Sequence, residues 1–329
     1  MTIRFGVIGA GRIGKVHART IATNPKAKLS YIADALPKAA QDLAGTYGAR
    51  VATVDEIMKA SDVDAVLIGS PTGFHAEQIQ AASKAGKAIM CEKPVSLSVA
   101  MIEETLNVVA ANKSILMIGF NRRFDPNFAE LESRIRRGDI GAIELVTVIS
   151  RDPAPPPADY VKGSGGLFRD MMIHDFDMAR FLMGEEFVVV NALGAALVDK
   201  AIGAAGDVDT AVVTLRMQSG ALVQISNSRR AVYGYDQRIE ALGSAGALRA
   251  ENVVESTVVF SGADGVVGEK PVNFFLERYA EAYRLELAHF IDAVAAGAAP
   301  LTGGTDGVKA LALADAALEA ARTGRAVKV

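Results

Sequence analysis

The stretch Gly165 to Phe181, GGLFRDMMIHDFDMARF, sets Asp170, His174 and Asp177 at i, i+4 and i+7. A helix there presents carboxylate, imidazole and carboxylate on one face, while Met172, Phe176, Ala179 and Met183 turn to a core. A histidine titrates near neutrality, and an acid beside it can fix its tautomer, so His174 is a candidate general base. These residue types also ligate divalent ions, but the sequence shows no further cluster of ligands, and no metal is expected. A second candidate is Lys93 in Cys91-Glu92-Lys93-Pro94, which directly follows a strand-like run and so stands at the carboxyl end where a cofactor should lie. The plainer alternatives are a core histidine and a loop lysine. Tyr233-Gly234-Tyr235-Asp236 supplies tyrosines that either donate to hydroxyl groups or simply pack.

Positioning these groups requires a scaffold, and its first sign is Ile3 to His17, IRFGVIGAGRIGKVH. Ile3, Phe5, Val7 and Ile8 suit a buried strand, and Gly9, Gly11 and Gly14 fit the G-x-G-x-x-G turn that seats a dinucleotide pyrophosphate on a helix N-terminus. A second apolar run ends at Asp34, where a carboxylate can accept from a ribose 2′-hydroxyl and would repel a 2′-phosphate; Ala35, Leu36 and Pro37 supply no arginine to offset it. The cofactor expected is NAD. The alternative for Asp34 is a cap on the next helix.

Short apolar runs then alternate with helical stretches as far as residue 121: helices over 37–47, 54–60, 73–85 and 98–111, strands over 65–68, 87–91 and 115–119. That alternation predicts a doubly wound parallel sheet, with ligands at the carboxyl ends of its strands. Ser70, Pro71, Thr72 and His75 follow one such strand and should border the cofactor by position; the alternative for His75 is a helix-start residue with no ligand. From 122 onward a helix over 127–137 leads into strand-like stretches at 143–150, 187–197, 209–217, 221–230, 237–242 and 253–260, read as a large, mostly antiparallel open sheet. Helices over 275–295 and 306–322 close the chain. The fold class is therefore α/β, with a Rossmann domain over 1–121 and an α/β substrate-binding and oligomerisation domain over 122–329.

A chain of 329 residues exceeds the usual size of one core, and 50% hydrophobic with 22% charged residues excludes long disorder. A net charge of -3 gives no basic footprint for nucleic acid or anionic membrane. The single cysteine, Cys91, cannot form an internal disulfide, and glycines with Arg12 interrupt the first apolar run before a signal-peptide core, so a cytoplasmic location is expected. A sheet with too few helices to cover it predicts contact between subunits; the alternative is a solvent-facing sheet with polar alternation.

The motifs GAGRIG, SPTGFH, CEKP, GFNRRFDP and above all GGLFRDMMIHDFDMARFL resemble those of the Gfo/Idh/MocA oxidoreductases, and the resemblance extends through ISNSRRAVYGYDQRIEALGSAG over essentially the whole chain. It implies a catalytic set at Lys93, Asp170 and His174. It implies NAD contacts along Gly9, Gly11, Arg12, Ile13 and Gly14, at Asp34, at Ser70, Pro71, Thr72 and His75, and at Glu92 and Lys93. Lys93, Asp170 and His174 would also touch a polyol substrate, with Asp177 and Tyr235 at matching positions; Tyr233 is the alternative if the register differs by two. Arg123 and Asp152 add to the polar groups expected there. The implied reaction is oxidation of a ring hydroxyl of a cyclitol, myo-inositol first, in a homotetramer. Another inositol isomer or a pyranose sugar is the near alternative, and a non-catalytic NAD-binding sensor the distant one. The chain departs from the pattern at Met171 and Asn121, both expected to border the substrate.

Overall fold

A computed structural model describes residues 2–329, with the side chains of all but 158 and 162. The chain divides into two compact units, one of residues 1–121 with 282–311 and one of 122–281 with 312–329.

In the first unit, strands β1 (Ile3–Ile8), β2 (Ala27–Ala33), β3 (Arg50–Val51), β4 (Ala65–Ile68), β5 (Ala88–Glu92) and β6 (Leu116–Gly119) form a parallel sheet in the order β3-β2-β1-β4-β5-β6. The central strands read as continuous apolar runs because both faces are buried; Ile3, Phe5, Val7, Val66, Ile68 and Ile89 are wholly enclosed. The intervening helices are α1 (Arg12–Thr23), α2 (Pro37–Tyr47), α3 (Val54–Lys59), α4 (His75–Lys84) and α5 (Val99–Ala111). Local chemistry sets their ends. Thr53 and Glu56 form a reciprocal capping box on α3, and Ser98 caps α5 through Met101 N–H. The order reverses beside β1, between β2 and β4, which places the turn after β1 at the switch point where such sheets bind ligands.

The second unit opens with α6 (Pro126–Arg136), capped by Asp125 through the N–H groups of Asn127 and Phe128. Its sheet comprises β7 (Ile143–Arg151), β8 (Phe187–Ala195), β9 (Thr210–Met217), β10 (Leu222–Ser228), β11 (Asp236–Gly243), β12 (Gly246–Ala250) and β15 (Val327–Lys328), in the order β12-β11-β7-β10-β9-β8-β15. Neighbours are antiparallel except β7 and β10. Helices α7 (Ala158–Ser164), α8 (Ile173–Met183) and α9 (Lys200–Ala204) lie between β7 and β9 in the chain.

Two expectations of the sequence change here. The strand expected over 253–260 is instead irregular chain followed by a hairpin of β13 (Val259–Gly262) and β14 (Gly265–Gly268), because Gly262 to Gly265 folds back on itself with Gly265 at φ +135°. The single helix expected over 275–295 is α10 (Phe275–Arg278) and α11 (Ala280–Ala296), broken at Tyr279. The Tyr279 ring is pinned by Arg278 at 4.8 Å and Arg122 at 5.7 Å, and its hydroxyl donates to Gln237 Oε1. Helix α12 (Gly304–Thr323) follows. No helix among the described residues is long and apolar enough to cross a membrane.

Candidate active site

In the first unit, the turn after β1 has the shape a pyrophosphate needs. Gly9 sits at φ +104°, and a Cβ there would lie 2.5 Å from Gly69 O; a Cβ on Gly14 would overlap Gly9 O, so helix and strand close up only because both lack side chains. Gly11 faces open space, with nothing within 4 Å of a Cβ. Helix α1 has no side-chain cap and no acid in its first turn, so its N-terminal turn, with Ile13 and Gly14, suits an anion. Asp34 accepts from Ala10 N at 2.6 Å and from Leu36 N at 2.8 Å, which ties the glycine turn to the end of β2. A carboxylate offers about four acceptor sites, so ribose hydroxyls can still be bound. These features fit NAD.

Beyond β4, Ser70 Oγ donates to Gln78 and the turn Thr72–Phe74 leads into α4. His75 is buried, with Nδ1 2.8 Å from Pro94 O and Nε2 2.7 Å from Ser70 O, so its ring links two loops. The Lys93–Pro94 bond is cis, and Lys93 is half-buried just past the carboxyl end of β5. Glu92 directs its carboxylate to His17 on α1, with Oε1 2.7 Å from Nε2.

In the second unit, the helical face expected to carry Asp170, His174 and Asp177 is divided. Gly165 and Gly166 both have positive φ, and residues Leu167–Met171 form a π-helical turn, so Asp170 precedes α8 while His174 and Asp177 lie within it. Wide turns of this kind recur at functional sites. Asp207 receives Leu167 N–H at 3.0 and 3.2 Å, and a Cβ on Gly166 would come 2.5 Å from Asp207 Oδ1, so glycine is required where the turn starts. Asp170 accepts from Tyr160 at 3.1 Å and from Arg229 at 3.4 Å. His174 is half-buried; Met172, Phe176 and Ala179 are enclosed as expected, and Met183 is half-buried.

Asp177 is buried and gripped by both arms of Arg123, Nε at 2.9 Å and Nη2 at 2.5 Å. Asp152 follows β7, its backbone N–H held by Ser228 O; burial pushes its carboxyl up to about 6 against the pull of Arg229. Tyr235 is buried edge-on to Tyr279, and burial drives its hydroxyl well above the usual range. Tyr233 donates to Asp236 at 2.6 Å and accepts from Arg151 at 2.8 Å, while Tyr235 lies within electrostatic reach of Arg122, Asp152 and Asp175.

Several polar residues here were not singled out in the sequence. Asp175 receives Arg122 at 2.5 Å and Asn227 at 2.7 Å, wholly buried, and Arg229 reaches Asp170 and Asp152. Their signals, the second acid in IHDFD and the doubled arginines of FNRRF and NSRRA, were present without a partner to give them meaning. Among the described residues no group of three His, Cys, Asp or Glu side chains is placed to hold a metal ion.

Residues 3–120 match the oxidoreductase-family NAD-binding Rossmann fold, and residues 132–329 match the oxidoreductase-family C-terminal alpha/beta domain. The chain is 52% identical to inositol 2-dehydrogenase of Rhizobium meliloti over 329 residues, all of both chains. It is also similar to the crystal structure of a myo-inositol dehydrogenase from Corynebacterium glutamicum, at 45% identity and TM-score 0.96, over 100% of this chain and 99% of that one. The crystal structure of scyllo-inositol dehydrogenase from Lactobacillus casei with bound NAD(H) and scyllo-inositol is similar at 32% identity and TM-score 0.93, again over 100% and 99%.

Proposed function

The chain belongs to the Gfo/Idh/MocA oxidoreductase family, and from that premise we propose that it is an NAD-dependent dehydrogenase oxidising one ring hydroxyl of myo-inositol to 2-keto-myo-inositol. The observation that carries the reading is the end-to-end match, at 52% identity, to an inositol 2-dehydrogenase. The acids and guanidiniums gathered in the second unit support it, since such polarity suits a substrate with many hydroxyls.

His174 takes the hydroxyl proton as general base. Lys93 donates to the same oxygen and stabilises its growing charge. Asp170, steadied by Tyr160 and Arg229, orients the base and favours its protonated form. NAD, when bound, supplies the hydride acceptor. Gly9, Gly11, Arg12, Ile13 and Gly14 hold the cofactor phosphates, Asp34 the adenosine ribose, and Ser70 to Thr72, His75, Glu92 and Lys93 border its other end. Arg123, Asp152, Asp177 and Tyr235 complete the contacts to the polyol. An NAD-reduction assay over a panel of inositol stereoisomers and aldoses tests this: the expected outcome is fastest turnover on myo-inositol, and brisk turnover of an aldose with none of any inositol overturns it.

The working form on this reading is a cytoplasmic homotetramer. Exposed apolar surface on the second unit supports contact between subunits: Leu193 beside Val212, Leu222 and Leu242 on either side of Leu145, and Val259, Phe260, Val266 and Val267 on the hairpin. Light scattering on the eluted protein measures the assembly, and a mass other than that of four chains rejects the tetramer.

A further inference from the structure

Arg229 stands one residue past β10 with its side chain 3% exposed, so its charge must be answered from within. Its Nη2 lies 3.4 Å from Asp170 Oδ2 and its Nη1 3.8 Å from Asp152 Oδ2, while Nε is buried with no hydrogen-bond partner among the described residues. A guanidinium normally closes on one carboxylate through two short parallel bonds, as Arg123 does on Asp177. Arg229 closes on neither of its acids and stands within reach of both. The two arrive from separate elements, Asp152 from the end of β7 and Asp170 from the π-helical turn ahead of His174. The backbone of Arg229 is fixed as well, its N–H donating to Asp209 O at 2.8 Å.

We propose that Arg229 is a positioning residue, the counter-charge shared by Asp152 and Asp170, which keeps Asp152 ionised to accept substrate hydroxyls and steadies Asp170 beside the base. The inference rests on the reading of those two acids as parts of the polyol site. The sign of its consequence follows from the groups around Asp152. Burial is the largest influence and raises its carboxyl; Arg229 and Arg122 pull it down, Asp170 and Asp175 push it up, and Tyr235 lies within their reach. Removing Arg229 deletes the largest downward pull. Asp152 then takes up its proton at a higher pH, and a protonated carboxyl has lost acceptor capacity for hydroxyl donors.

The test is the KM for myo-inositol measured from about pH 5 to 9 in wild type, Arg229→Gln, Arg229→Lys and Asp152→Asn. In wild type, KM rises as pH falls through about 6. In Arg229→Gln the rise comes about one pH unit higher, the effect of losing a cation this close, and Arg229→Lys returns it toward the wild-type position. In Asp152→Asn that rise is absent. An unchanged position in folded Arg229→Gln overturns the proposal, and so does a lysine variant displaced as far as the glutamine one, since packing and not charge would then govern. Should Arg229→Gln fail to fold, a rise persisting in Asp152→Asn overturns it instead. Potentiometric difference titration of wild type against Asp152→Asn, and of Arg229→Gln against the double variant, reads the same midpoints without substrate. A protein that oxidises no inositol would thus sink the dehydrogenase reading while the titration still decides the charge sharing.

Discussion

His17 Nε2 lies 2.7 Å from Glu92 Oε1, joining the helix of the glycine turn to the strand end that carries Lys93, and the buried Glu286 on α11 feels the charge of that same Glu92. Both carboxylate oxygens of Glu286 are enclosed with no hydrogen-bond partner among the described residues. Burial first, and Glu92 second, hold its carboxyl well above the usual range. The folded chain therefore keeps a proton there that the unfolded chain gives up at an ordinary carboxylate pKa, so stability falls as pH rises above that value toward the folded one. Glu286→Gln removes the titration. Its melting temperature relative to wild type should climb between pH 5 and pH 8, as read by thermal unfolding; a difference that stays flat with pH means that Glu286 is charged in the fold.

The cofactor preference is tested at Asp34. Because this carboxylate also receives the N–H groups of Ala10 and Leu36, Asp34→Ala should weaken both dinucleotides, yet NAD more than NADP. The ratio of their kcat/KM values should narrow by about ten-fold or more, the worth of charge-assisted hydrogen bonds together with lost repulsion. Wild-type use of NADP equal to NAD, or a ratio unmoved in the variant, rejects the ribose role.

His174→Ala should lower kcat by roughly 10² to 10⁴, the usual worth of a positioned general base, with NAD affinity by calorimetry nearly unchanged. Lys93→Ala should be at least as damaging. A folded variant with near wild-type turnover removes that residue from the mechanism, and a loss confined to NAD binding makes its part structural.

The alternation of the first unit was legible because parallel strands buried on both faces read as uninterrupted apolar runs, as β4 and β5 do, and because caps such as Ser98 sit in the sequence beside the helix they start. The division of the Asp170 to Asp177 segment was not legible. Helical spacing cannot reveal a π-helical turn, and the cause lies 40 residues away in the Asp207 carboxylate that receives Leu167 N–H. Arg229 and Asp175 were hidden for the same reason: their partners stand 59 and 53 positions off, so each looked like an ordinary polar residue. Tyr279 broke a helix that its local sequence would continue, because tertiary contacts with Arg122, Arg278 and Tyr235 hold its ring.

The Arg123–Asp177 pair gives the last prediction, and it separates a structural from a substrate-binding part for Asp177. Both side chains are nearly inaccessible, the bonds are bidentate, and Arg123 also lies 5.0 Å from the Phe181 ring centre. Removing one member strands a buried charge, so Arg123→Met and Asp177→Leu should each cost about 3 to 5 kcal/mol of stability, while the two together should cost far less because no charge is left unpaired. Urea unfolding of the three variants measures this, and additive losses in the double variant would contradict a coupled pair. Catalysis supplies the second half of the argument. If Asp177 also accepts a substrate hydroxyl, Asp177→Asn, which keeps the shape and one acceptor, should fold and still discriminate less than wild type against at least one deoxy-inositol, since a matched hydroxyl is worth about 1 to 3 kcal/mol. Undiminished discrimination against every deoxy analogue would leave Asp177 as the anchor of Arg123 alone.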